Sequence, residues 1–239
     1  MAAPTFAPIW RPDPVSARVD PFPKAISAAL SDVEPGRLTF AKDERAMRAA
    51  ITLAPEMPLS EAMGAFLAVQ LGFADALGAL APPEVAVHFV WPDRLKVNGA
   101  LCGSLRAGAS TADPADEPEW LVIGIDVPYA AQSAEPGRTW QTTVLAEEGC
   151  VDFTVVDLLE AMSRHTLGWI NRFLDEGFQP IHRAWNAKCD TLGERVAYPS
   201  GGTFLGLDER GGMLLRDDNG TTLIPLTALL DPQWPSSPA

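Results

Sequence analysis

Residues 85–105 read VAVHFVWPDRLKVNGALCGSL. An apolar run with a single histidine reaches Trp91 and is stopped by Pro92. A second short run then ends at Asn98-Gly99, the dipeptide that supplies the two positive-φ positions of a two-residue hairpin. The chain therefore turns sharply twice, and the backbone of 93–96 is brought beside that of 99–104 at one end of a sheet. That sheet end is the expected place for a small ligand.

Around this corner the pattern alternates between strand and helix. Residues 120–127 are almost all apolar, as expected of a strand covered on both faces, and are read as the sheet centre. Residues 38–41 and 49–54 read as strands joined by a polar connection, 42–48. Between 60 and 80 apolar residues recur at three- and four-residue steps, with Ser60 as N-cap and Pro82-Pro83 as the stop, which predicts an amphipathic helix. Residues 106–118 read as a connection, and Pro136-Gly137 as a turn. Thr154-x-x-Asp157 is a capping box; the helix it opens has its apolar stripe from Val156 to Leu174, a Glu160–Arg164 pair and Gly177 as C-cap. A short helix over 180–188 follows, then four short strands near 195–198, 203–208, 213–216 and 221–226 separated by glycine turns, the spacing of a small barrel. The expected fold class is α+β, a mixed, largely antiparallel sheet flanked by helices, with a small C-terminal β-barrel. The expected division is a proline-rich arm over 1–25, a main domain over 26–189, a β module over 190–232 and a tail over 233–239.

Bulk properties set limits on function. With 239 residues, 47% of them hydrophobic, the chain can fill a core without crosslinks. Its three cysteines, Cys102, Cys150 and Cys189, lack any C-x-x-C spacing, and the three histidines lack ligand spacing, so no metal site and a reducing, cytoplasmic setting are expected. The first 23 residues have no basic start and six prolines, which reads as an extended arm rather than a signal peptide. No uninterrupted apolar run reaches the roughly 18 residues of a bilayer span. A net charge of −13 argues against nucleic acid as a partner.

The same residues resemble the biotin and lipoate protein ligase family, whose hallmark is Trp-Pro-Asn-Asp, then a hairpin, then a Lys-aliphatic-small-Gly step. Trp91 and Pro92 match, Asp93 stands for Asn and Arg94 for Asp. Val97-Asn98-Gly99 matches a common form of the turn, and Leu101-Cys102-Gly103 matches the step after the family's lysine, which aligns with Ala100. Residues 122–127, Val-Ile-Gly-Ile-Asp-Val, are similar to the family's Gly-Ile-Gly-Ile-Asn-Val strand, with Asp126 in place of Asn, and Gly206 to Leu215 is similar to a phrase of its SH3-like C-terminal module. The frame covers most of 38–230. The resemblance implies a biotin protein ligase-like fold with an SH3-like barrel. It also implies activation of biotin, lipoate or another acyl group with ATP and transfer to a carrier-protein lysine, by a monomer or homodimer. An enzyme here would be of ligase or acyltransferase type. The alternative is a non-catalytic relative that binds a small-molecule acid or a protein.

In the family a Gly/Arg-rich loop folds over the ligand and its phosphate. Its counterpart here, DERAMR at 43–48, has no glycine and offers Arg45 and Arg48. The expected ligand wall comprises these two arginines with Trp91, Pro92, Asp93, Gly99, Gly103, Ser104, Gly124 and Asp126. Lys96 is the candidate to replace the absent lysine, or a solvated hairpin residue. Cys102 is the candidate acyl-accepting nucleophile, or a small core residue. Trp91 either stacks on a ligand or fills the core. Asp126 puts negative charge where the family's ligand acid lies, which disfavours an anionic ligand in a poorly hydrated pocket.

Overall fold

The computed structural model describes residues 4–131 and 141–230. Pro136-Gly137, the first three residues and the 233–239 tail lie outside the described residues. One seven-stranded sheet runs in the order β1 (Arg11–Ser16), β2 (Arg37–Lys42), β3 (Ala46–Leu53), β7 (Leu121–Pro128), β6 (Ala100–Ala109), β5 (Arg94–Val97), β4 (Val87–Val90). Only β1–β2 is parallel, so the sheet is mixed and largely antiparallel as expected, with the apolar strand β7 at its centre.

Residues 11–29 depart from the extended-arm reading. Arg11–Ser16 is a sheet strand, and Pro21–Ala29 is a helix, α1, capped by the Asp20 side chain, which accepts from the Phe22 N–H. Both prolines of β1 sit on a sheet edge, where a missing donor is tolerated, and Pro21 takes the first helical position, where the N–H would go unpaired in any case. The expected connection 42–48 shrinks to Asp43-Glu44-Arg45, because β3 begins at Ala46; β6 likewise extends to Ala109. Ser60 is not an N-cap: a short α2 (Leu59–Ala62) precedes α3 (Gly64–Leu80).

Alternation along the strands divides the sheet's two faces. Arg48 and Ala50 of β3, with Gly124 and Asp126 opposite on β7, face α1, whose Phe22, Ala25 and Ile26 pack on that side. Met47, Ala49 and Ile51, with Ile123, Ile125 and Val127, face the main core beneath α3 and α4 (Val155–Glu176). Leu59–Leu80 is apolar and long enough to cross a bilayer by composition alone, but 78% of its apolar 18-residue window is buried, as in a core helix. The Thr154–Asp157 capping box and the Gly177 C-cap form as the sequence predicts.

After α5 (Gln179–Asn186), strands β8 (Arg195–Val196), β9 (Gly202–Leu207), β10 (Met213–Asp217) and β11 (Gly220–Ile224) make a four-stranded antiparallel sheet in the order β11-β10-β9-β8. Its Phe204, Met213 and Leu215 join the main core, so this sheet packs as part of the body.

Candidate functional site

The β2–β3 tip is built by local hydrogen bonds. The Asp43 carboxylate accepts from the Arg45 N–H at 2.9 Å, closing an Asx turn that needs no glycine. The Arg45 carbonyl accepts from the N–H groups of Tyr129 and Ala130 at 2.7 and 2.9 Å, tying the tip to the segment after β7. Arg48, opposite Asp126 on β7, donates to the Asp43 carboxylate at 2.9 Å and to the Ala17 carbonyl. Three chain segments are thereby joined around a cavity of about 590 Å³ lined by Ala17, Asp43, Arg45, Arg48, Asp126 and Pro128, among others.

Charges alternate around it. Burial raises the Asp126 carboxyl above its ordinary range, the Arg48 and Arg106 charges pull it back, and Asp20 and Asp43 push it up again. Burial also pushes Asp20 up, but a 2.8 Å bond from Arg106, the Phe22 N–H and the Arg106 and Arg48 charges outweigh it and leave that carboxyl below its usual value. The Arg106 guanidinium lies over the Phe22 ring at 4.6 Å. Arg45 is exposed and makes no ion pair among the described residues. Two guanidinium groups, one of them outside any ion pair among the described residues, can donate to a carboxylate or phosphate, while an ionised Asp126 opposes it.

Of the residues expected at the site, Arg45, Arg48 and Asp126 come together here. Ser104 pairs with Asp126 across β6–β7. Gly103, at φ +154°, brings the β6 backbone so close that a Cβ would lie 2.7 Å from the Asp126 carbonyl. Both are neighbours of the cavity and do not line it. Gly124 faces the same side, but α1 covers it: a Cβ there would meet the Phe22 ring at 2.7 Å. Gly99 stays in the hairpin turn at φ +89°, after Asn98 at +49°.

The tryptophan–proline corner is buried, and neither residue lines the arginine cavity. Trp91 is 1% exposed and donates its indole N–H to the Gly211 carbonyl at 3.0 Å. The Pro92 carbonyl accepts from Gln70 Nε2 at 2.9 Å, and Gln70 accepts from the Trp185 indole. The corner is a joint between the main sheet and the C-terminal sheet. Beside it, burial lifts Asp93 from its ordinary 3.8 to about 6 against the pull of Arg94. Lys96 is held by Asp190 at 2.8 Å and does not line the arginine cavity. Cys102 is fully buried, and burial, with Glu148 and Cys150 adding to it, pushes its thiol up to about 12, which leaves almost no thiolate at neutral pH. Ala100, where the resemblance expects lysine, is the first residue of β6. The described residues include no cluster of three His, Cys, Asp or Glu that could hold a metal.

The sequence reading missed Ala17, Asp20, Phe22, Asp43 and Arg106. The Asp20-Pro21 cap signal was available; the placement of Phe22 over Gly124 is a tertiary fact with no local signature.

Residues 6–187 match the model of the biotin/lipoate A/B protein ligase family, and residues 192–232 match a domain of unknown function (DUF4444). A biotin–[acetyl-CoA-carboxylase] ligase of Paracoccus denitrificans is 30% identical over 176 residues, 68% of this chain and 72% of that protein. The crystal structure of a biotin protein ligase-like protein of unknown function from Silicibacter sp. TM1040 is 44% identical, with a TM-score of 0.89 over 96% of this chain and 100% of that one. Biotin protein ligase from Aquifex aeolicus in complex with biotin and ATP shares the fold at 17% identity, with a TM-score of 0.67 over 89% of this chain and 95% of that one.

Proposed function

The chain belongs to the biotin/lipoate A/B protein ligase family, and from that premise we propose that it binds a small organic acid or acyl group at the Arg45–Arg48–Asp126 cavity without forming an acyl-adenylate. The observation that carries this reading is where the α1 face of the sheet is covered and where it stays open. Phe22 occupies the surface over Gly124, and the hollow lies instead at the end of β7, beside an uncommitted arginine.

Biotin and ATP, which the Aquifex enzyme binds, find a poor fit among these residues. The β2–β3 tip has three residues and no glycine, Ala100 carries no charge, and Asp126 faces the cavity. The glycines for close backbone approach to a phosphate and the lysine charge at the Ala100 position are both absent. Arg45 and Arg48 suffice to hold one carboxylate.

A second reading, biotinyl or acyl transfer to a carrier-protein lysine, is favoured by the relative named as a biotin–[acetyl-CoA-carboxylase] ligase. In both readings the chain acts in the cytoplasm as a monomer or homodimer, and the C-terminal sheet is an SH3-like module that braces the Trp91 corner.

Incubation with ATP and biotin, lipoate or octanoate, with and without a carboxylase carrier domain, separates the two. The first reading expects no AMP, no pyrophosphate and an unmodified carrier. AMP release or a labelled carrier lysine establishes the second instead.

A further inference from the structure

A second cavity, of about 480 Å³, opens at the opposite end of β3 from the arginine site. Its walls are apolar: Trp10, Leu53, Met57, Ala65, Leu167 and Phe173 come from the N-terminal segment, the β3 end and helices α3 and α4. The hollow arises where the α2–α3 segment presents Ala62 and Ala65 instead of larger side chains. Trp10 is fixed in the wall because its indole N–H donates to the Ser163 carbonyl at 3.2 Å, which leaves the ring to the cavity. At the mouth Ile9 and Leu174 remain 58% and 60% exposed, an apolar rim that water does not favour.

The rim charges that stand outside ion pairs among the described residues are of one sign. Glu56 lines the cavity, and an adjoining hollow that shares Met57, Phe173 and Leu174 adds Glu209. The base in that lining, Arg210, is already paired with Glu61 at 3.5 Å. An anion is repelled here, whereas an apolar body with a positive head is matched at both ends, and the volume suits a small ligand.

We propose that this cavity is a binding site for a hydrophobic ammonium compound, with its hydrocarbon body against Trp10 and Phe173 and its head toward Glu56. It is separate from the arginine site and stands whether or not that site binds an acid.

Protein with methyl-labelled alanine, titrated with decyltrimethylammonium, decanol and decanoate, tests it by NMR. Ala62 and Ala65 report this cavity, and Ala17 and Ala130 report the arginine site. The ammonium compound is expected to shift Ala62 and Ala65 with a Kd below about 1 mM and to spare Ala17 and Ala130; decanoate at Ala62 and Ala65 should be at least about tenfold weaker. Ala65→Leu, which fills the hollow, should weaken the ammonium compound about tenfold or more. Glu56→Gln, at an exposed position that leaves the fold intact, should weaken the ammonium compound severalfold and leave decanol unchanged. Silence at Ala62 and Ala65, decanoate acting there as strongly as the ammonium compound, or indifference to both variants overturns the proposal.

Discussion

Asp93→Asn should stabilise this protein at pH 8 and do progressively less as the pH falls. One carboxylate oxygen of Asp93 is buried without a hydrogen-bond partner, the side chain is only 15% exposed, and its nearest charge, Arg94 Nε, stands 3.9 Å away. Burial therefore raises the folded-state pKa from 3.8 to about 6. Because it is raised, the carboxyl favours folding below 3.8, loses that favour between 3.8 and about 6, and carries its full penalty above. At about 1.4 kcal/mol per pH unit, the gap corresponds to about 3 kcal/mol at pH 8, of which roughly half remains at pH 5. Asparagine has the same shape and does not titrate. The Arg94 attraction acts on the ionised carboxylate and is already contained in the folded-state value of about 6. Urea unfolding followed by intrinsic fluorescence at pH 5 and pH 8, for both proteins, gives the difference directly. An Asn-minus-Asp stability gain about 1.5 kcal/mol larger at pH 8 than at pH 5 is expected; a gain independent of pH would refute the reasoning.

Three further perturbations probe the packing. Phe22→Ala removes the ring lying against Gly124 and under Arg106, and a half-buried aromatic of this kind should cost about 2 kcal/mol in chemical denaturation. Gly103→Ala combines φ +154° with a Cβ placed 2.7 Å from the Asp126 carbonyl, so a loss of about 3 kcal/mol or more is expected in the same assay, and a neutral result would contradict the close approach. Cys102, fully buried with its thiol pushed up to about 12, should resist iodoacetamide at pH 8 in the native protein and alkylate fully once unfolded, as read by mass spectrometry.

The parts of this fold that declare themselves in the sequence are those fixed by local chemistry. Asn98-Gly99 favours positive φ, Thr154 and Asp157 close a reciprocal cap, and the apolar run before Pro128 reads as a strand covered on both sides. The N-terminal strand and helix were hidden because each carries two prolines, and proline is compatible with an edge strand, a helix start or an extended arm. The site was half legible. Arg45, Arg48 and Asp126 were readable as charged residues within a recognisable frame. Which glycine would be covered, and by which ring, depends on how α1 docks. Trp91 shows the same limit from the other side: a residue that reads as a ligand wall is committed to Gly211, 120 positions away, through a contact no local pattern reveals.

Calorimetric titration with octanoate, lipoate and biotin, without ATP, tests the central claim most directly. At least one acid should bind to the wild-type protein, lose most of its affinity in Arg45→Ala and Arg48→Ala, and bind more tightly in Asp126→Asn. Wild-type affinity should rise as the pH falls and Asp126 is neutralised, while the Asp126→Asn profile stays flat. No binding of any of the three acids, or binding indifferent to all three substitutions, would contradict the account.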